Sequence, residues 1–452
     1  MGIRVAGFVV GVVSFGAACN NNSTHEQPDA RSPDAPPPRP DAAADAPYAA
    51  EPQLPAGTPV AIALTSIGGL AYTGPLAFGA QHFDVILDTG STTLGVASTT
   101  CTNCGVTPLY APGNGAVDQH QTASAQYADG SGWTGEIYQD SPALGDGPAV
   151  AVKLGAITSS NNFFRDFTGD GTAEYQGILG LGPDGALLTG TTSYLTAAFA
   201  AGTTAEIAFQ LCPDGGTMWL GGYDASKQAG PQAVTPLTGG LPFYGVEVAD
   251  LGVAGVSLHQ STTAFGPTIV DTGTSIAFIP SAPLGALTSA IEATPGFTTA
   301  FGSQSLADNG CVTTSMTGAQ LDAMLPPIEV AFPGITSGTS PPVDLPATRS
   351  YLMDMGGGEW CFTFADSSEL TGGSFSISLF GDSVLHAYVT TFDIADQRMG
   401  FAPQTGCDEP AIAAPQQHVV HAPGTPWWQH DPRVHYPSPA QIQRLVGALR
   451  HD

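Results

Sequence analysis

Apolar and polar positions alternate over short spans through the central part of this chain, and clusters of Gly, Pro, Asn and Asp separate the spans. A two-residue period marks strands with one buried face, and closely spaced turn residues mark an all-β domain. The run Ser374-Phe375-Ser376-Ile377-Ser378-Leu379 shows the pattern most plainly, with apolar residues on one face and serines on the other. Two further apolar runs, Phe83-Asp84-Val85-Ile86-Leu87 and Thr268-Ile269-Val270, each end at an Asp-Thr-Gly turn. Helical spacing is confined to Ser193 to Ala201, Ser281 to Ala293 and Gly318 to Leu325. The pattern predicts an all-β fold with few short helices.

The turns form a duplicated signature: Asp88-Thr89-Gly90-Ser91 in the first half and Asp271-Thr272-Gly273-Thr274 in the second. A second pair of segments repeats with them. Gln176-Gly177-Ile178-Leu179-Gly180-Leu181-Gly182 is answered by Ser378-Leu379-Phe380-Gly381-Asp382. Glycine recurs in such segments where another backbone passes too close for a side chain. Then follow, in order, Thr217 to Asp224 (TMWLGGYD), Phe243-Tyr244-Gly245-Val246, and Phe392 to Ala402 (FDIADQRMGFA). At these motifs the chain resembles the pepsin-like aspartic proteases, and the resemblance covers nearly the whole body. It implies a bilobed fold of two duplicated β-barrel-like lobes, spanning residues 59–235 and 236–410.

A single Asp in a Gly- and Thr-rich turn is ordinary, since such residues favour Asx turns. Two that converge are different. Like charges held close cannot both ionise cheaply, so the pair shares a proton and offers a base and an acid together. That is what peptide hydrolysis requires in the absence of a metal or a covalent nucleophile, and the resemblance assigns the role to Asp88 and Asp271, with no cofactor and no metal. It also implies that Thr89 and Thr272 bond across the lobes, that Gly90 and Gly273 let backbone amides approach the carboxylates, and that Ser91 and Thr274 orient the outer carboxylate oxygens. Tyr127 matches the tyrosine of a flap that closes over substrate, with Asp129 and Gly130 near its tip. One departure stands out. The family often carries Trp after the first catalytic turn, bonded to the flap tyrosine, and here Gly95 occupies that place, with Trp133 nearby on the flap hairpin itself. Gly95 is the one feature that favours the alternative, a pepsin-fold binding or inhibitor protein with weak turnover.

Outside the body, composition changes the picture. Arg4 precedes a small-residue apolar run, Val5 to Ala18, too short and Gly-rich for a membrane span. Residues 1–19 read as a signal peptide, and Ala17-Ala18-Cys19 resembles a bacterial lipoprotein cleavage site, although Gly16 stands where a branched aliphatic residue is usual. The expectation is an exported protein, lipid-anchored through Cys19 to a bacterial envelope or otherwise secreted. Residues 20–58 are rich in Pro, Ala and Asp without apolar periodicity and read as a disordered tether. Formal net charge is −28, which argues against nucleic acid or an anionic membrane surface as partner. Polypeptide substrates and a monomeric enzyme are expected.

Seven cysteines less Cys19 leave an even set in an exported protein, a disulfide framework whose pairing the spacing leaves open. The resemblance implies Cys101–Cys104, Cys212–Cys407 and Cys311–Cys361. A redox role for Cys101-Thr102-Asn103-Cys104 would call for a following helix, and the turn-rich stretch Gly105 to Gly115 supplies none. The tail, 411–452, holds His418, His421, His430 and His435 around Trp427-Trp428, a Pro-rich context that favours wrapping on the surface over metal binding. It ends in a short amphipathic helix from Ser438 to Leu449, expected to dock on the body. From the flap, Asp129 predicts tolerance of Lys just before the cut. In Asp129→Ala the relative kcat/KM for Lys over Leu peptides falls by roughly twofold to fivefold, the scale of one exposed ion pair; an unchanged ratio sinks the assignment.

Overall fold

The computed structural model describes residues 53–127, 131–166, 172–239, 241–336, 338–371, 376–407 and 428, which belong to one compact unit. The leader with Cys19, the chain to residue 52, the flap-tip residues Asp129 and Gly130, and the tail apart from Trp428 lie outside the described residues. Packing begins before Thr58. Leu54 is buried among Trp219, Tyr223 and Val389, and Tyr223 Oη donates to its carbonyl at 2.7 Å.

Two lobes grow from one central sheet. Strand Gly57–Ser66 pairs with Gly215–Gly222, which pairs with Glu206–Cys212. The next strand across is Tyr388–Asp393, from near the end of the body, followed by Arg398–Pro403 and Ala233–Pro236. Both halves of the sequence therefore contribute to the same hydrogen-bonded platform.

The first lobe continues from this sheet through Tyr72–Phe78 and Gln81–Asp88 to Gly177–Gly180, Leu94–Ala97 and Val152–Asn161. The flap hairpin, Val117–Gln126 and Gly132–Asp140, forms its outer edge. In the second lobe Thr268–Val270 runs parallel to Ser378–Phe380, as Gln81–Asp88 runs parallel to Gly177–Gly180. The duplicated motifs thus occupy duplicated positions. Behind each Asp-Thr-Gly turn a glycine lets a second backbone through: a Cβ on Gly180 would lie 2.4 Å from Thr92 N, and one on Gly381 2.3 Å from Thr274 O.

Of the alternating run Ser374 to Leu379, the first two residues lie outside the described ones; Ser376 is exposed, Ile377 and Leu379 are buried, and the strand is Ser378–Phe380. Ser378, by contrast, is fully buried and donates to the Phe265 carbonyl at 2.9 Å. Buried polar groups need such partners. Helices Tyr194–Ala200 and Ser281–Glu292 form where the spacing predicts them, the first capped by Ser193. The third is shorter than its apolar spacing suggests, Gly318–Asp322, opened by a Thr317/Gln320 capping box. Leu325 precedes Pro326-Pro327, and a following proline disfavours helical backbone.

The two lobe cores and the central sheet form one continuous apolar cluster, from Leu76 and Leu154 through Phe209 to Leu287 and Phe380. Each such side chain contributes roughly 1.5–3 kcal/mol on burial. Disulfides join Cys101 to Cys104, Cys212 to Cys407 and Cys311 to Cys361. The second ties the inner strand Glu206–Cys212 to the chain just beyond the last strand. The third links directly opposed residues of two neighbouring strands.

Candidate active site

Asp88 is the last residue of strand Gln81–Asp88, and Asp271 follows Thr268–Val270. Both are buried, at 5% and 4% exposure. Each turn folds back on its own carboxylate: Gly90 N–H donates to Asp88 Oδ1 at 2.7 Å, and Gly273 N–H to Asp271 Oδ1 at 2.8 Å. The turns then lock to each other. Thr89 Oγ1 donates to the Val270 carbonyl at 3.0 Å and accepts from Thr272 N–H at 3.0 Å. Thr272 Oγ1 donates to the Leu87 carbonyl at 2.8 Å and accepts from Thr89 N–H at 3.1 Å. Four reciprocal, fully buried bonds fix the separation of the two loops.

How close they lie is measured by the glycines. A Cβ on Gly90 would stand 2.4 Å from the Asp271 carboxylate, and one on Gly273 2.3 Å from Asp88 Oδ1. Only a residue without a side chain lets each backbone sit against the opposing acid. Burial pushes the Asp88 pKa well above the ordinary carboxylate range, and the adjacent Asp271 pushes it further. Thr274 Oγ1 donates to Asp271 Oδ2 at 2.6 Å. The Ser91 hydroxyl lies beside Asp88, where it offsets part of the upward shift of that carboxyl.

The Gly95 departure has a structural answer. Gly95 and Gly155 are register partners on the parallel strands Leu94–Ala97 and Val152–Asn161, and together they leave a slot. The Trp133 indole fills it, so closely that a Cβ on Gly95 would lie 2.8 Å from Cζ2 and one on Gly155 2.7 Å from Cη2. From there Trp133 Nε1 donates to Tyr127 Oη at 3.0 Å. Tyr127 therefore has a tryptophan partner, supplied by strand Gly132–Asp140 and not by the chain after Asp88. Tyr127 also stacks on Phe163, with ring centroids 5.3 Å apart. A pocket beneath it is lined by Gly90, Ser91, Thr93, Trp133, Leu188 and Phe243, bringing both halves to one site.

Asp382 was legible as part of the repeated glycine segment but carried no role. It is fully buried, neither carboxylate oxygen has a hydrogen-bond partner among the described residues, and burial followed by the charges of Asp271 and Asp88 raises its pKa well above the ordinary value. An acid so placed is held protonated, and it keeps a third negative charge away from the pair.

Comparison with known proteins agrees with this geometry. A family model described as "Eukaryotic aspartyl protease" matches residues 71–404. The chain is similar to an aspartic protease of Phaffia rhodozyma, 26% identical over 341 residues that cover 73% of this chain and 76% of the relative. It is also similar to gastricsin of Cavia porcellus, 28% identical over 349 residues (74% and 80%), and to cathepsin E of Aquarana catesbeiana, 26% over 347 residues (74% and 79%). The chain belongs to the aspartyl protease family. It is an aspartic-type endopeptidase, a hydrolase of peptide bonds.

The slot predicts a paired exchange. Gly95→Trp alone overpacks the site and costs on the order of 1–3 kcal/mol, and Trp133→Ala alone frees Tyr127. Combined, they restore stability and lower KM relative to Trp133→Ala, as urea denaturation and peptide kinetics will read. Additive losses in the double variant would show that the two positions do not share the space.

Proposed function

We propose that Asp88 and Asp271 act as one acid–base pair on a water held between them, cutting extended or unfolded polypeptides at acidic pH and in a pepstatin-sensitive manner. The observation that carries this reading is the mutual lock of the two turns, which holds two buried carboxylates together with a single proton favoured between them. The ionised member takes a proton from the water as it attacks the carbonyl carbon. The protonated member donates to the developing oxyanion, and a proton then passes to the departing nitrogen. Tyr127, bonded to Trp133, closes over the peptide and excludes bulk water. A substrate in extended form adds main-chain hydrogen bonds under the flap.

The pH dependence follows from the raised pKa values. Rising pH strips the shared proton and removes the acid; strongly acid pH protonates both carboxylates and removes the base. Stability moves in the same direction. Asp88 and Asp382 have folded-state pKa values above their unfolded ones, so their contribution is fully present below the unfolded pKa and is lost as pH rises through the folded values. Cleavage of a denatured protein across acid to neutral pH should give a bell with its maximum in acid, blocked by pepstatin. Asp88→Asn should lower kcat by about 10²–10⁴-fold or more, the usual scale of general acid–base catalysis. Full activity in Asp88→Asn overturns the assignment.

We further propose that the enzyme is exported and anchored by lipid at Cys19. Three disulfides in the body support an oxidising compartment, and no helix among the described residues is long and apolar enough to cross a membrane. Metabolic labelling with a fatty-acid analogue should mark the wild-type chain and leave Cys19→Ser unmarked. Equal labelling of both would refute the anchor.

A further inference from the structure

The sheet that carries Asp271 has two unlike faces. Val270, Ala277, Ile279 and Phe380 turn into the main core. Across the strands, Ile269 is registered with Leu379, Leu379 with Phe278, and Phe278 with Ala365, and registered neighbours share a face. These four residues belong to a separate apolar cluster with Phe243, Met353 and Met355. Strand alternation puts Asp271, two residues beyond Ile269, on that same face. Phe243 also lines the pocket beneath Tyr127. Leu70 brings the first half of the chain into the cluster, and Ser275 Oγ donates to its carbonyl at 2.5 Å. The cluster is therefore the apolar wall of the cleft on the second-lobe side.

Trp428 belongs to this wall. It is only 5% exposed, and its ring meets Phe278 edge-on with centroids 5.0 Å apart and planes at 89°, a favourable aromatic geometry. It comes from the tail, beyond the last strand and the Cys407 disulfide, and the family match ends before it, at residue 404. A residue from beyond the family match thus covers the sheet face that Ile269, Phe278 and Leu379 present.

We propose that Trp428 occupies a substrate subsite on the second lobe, built for a large aromatic side chain of the peptide, and that it competes there with substrate. This rests on the endopeptidase reading and deepens it. The wall around Phe278 selects aromatic residues in the substrate, and the chain carries its own occupant. Such an occupant leaves kcat alone and raises apparent KM, because only the fraction of molecules with the subsite free binds peptide.

The test uses the full-length chain. With a long, internally quenched peptide containing aromatic residues, Trp428→Ala should show a KM lower by about tenfold and kcat within about twofold of wild type, equivalent to Trp428 seated about nine-tenths of the time. Trp428→Phe, which keeps an aromatic edge and guards against a folding defect, should fall between them. A synthetic peptide copying residues 421–434 should bind Trp428→Ala protein by calorimetry and be displaced by pepstatin, whereas the same peptide with Trp428→Ala should not bind. An unchanged KM in a variant as heat-stable as wild type overturns the proposal, as does peptide binding that pepstatin leaves untouched. Should no variant cleave anything while the peptide still binds, the endopeptidase reading falls and the aromatic subsite stands.

Discussion

Two carboxylates that repel each other must be held together without being neutralised by a cation, and the architecture answers to that requirement. Among the described residues no ion pair holds Asp88 and Asp271 in place. Their separation is set by backbone, through the two threonines that bond across to the opposite loop. Because those bonds are buried and reciprocal, breaking one leaves an unsatisfied donor or acceptor on the other side, which costs more than the bond itself contributes. The glycines at 90 and 273 then let each turn approach the opposing acid, and Gly180 and Gly381 let a second strand brace each turn from behind. Geometry sustains an electrostatic arrangement that the isolated groups would not adopt.

The same economy of charge explains Asp382. A buried acid without a hydrogen-bond partner is tolerable only when neutral, and its neighbours are the two acids whose charge would oppose its ionisation. Burial and mutual repulsion act in one direction on Asp88 and Asp382, raising both pKa values. The large negative charge of the chain is consistent with the acidic pH proposed above, since protonation relieves self-repulsion as pH falls.

What could be read from the sequence was what local rules govern. The Asp-Thr-Gly turns, their strands, the helices Tyr194–Ala200 (capped by Ser193) and Ser281–Glu292, and the glycine segments each depend on residues close in the chain. What could not be read depended on pairing. Gly95 signals a missing tryptophan, and only the register of Gly95 against Gly155 shows that the two form a slot filled from a third strand. A signal existed, two strand glycines and one flap tryptophan, but without the register it had no meaning. Ser378 is a related case: the alternation leaves Ser376 exposed as expected, but Ser378 is buried, and only the fold shows the Phe265 carbonyl that serves as its partner. Asp382 carried no local mark at all, its character arising from residues more than a hundred positions away.

The central sheet has a further consequence for how the molecule is made. Strand Glu206–Cys212 is complete on one edge as soon as Gly215–Gly222 emerges, but its other edge waits for Tyr388–Asp393, and Ala233–Pro236 waits for Arg398–Pro403. The heart of the molecule thus closes only when nearly all of the body has been synthesised, leaving an apolar strand edge open in the meantime. Under the export proposed above, that delay would be an advantage, because the longest-range pairing could not trap a folded lobe on the wrong side of a membrane.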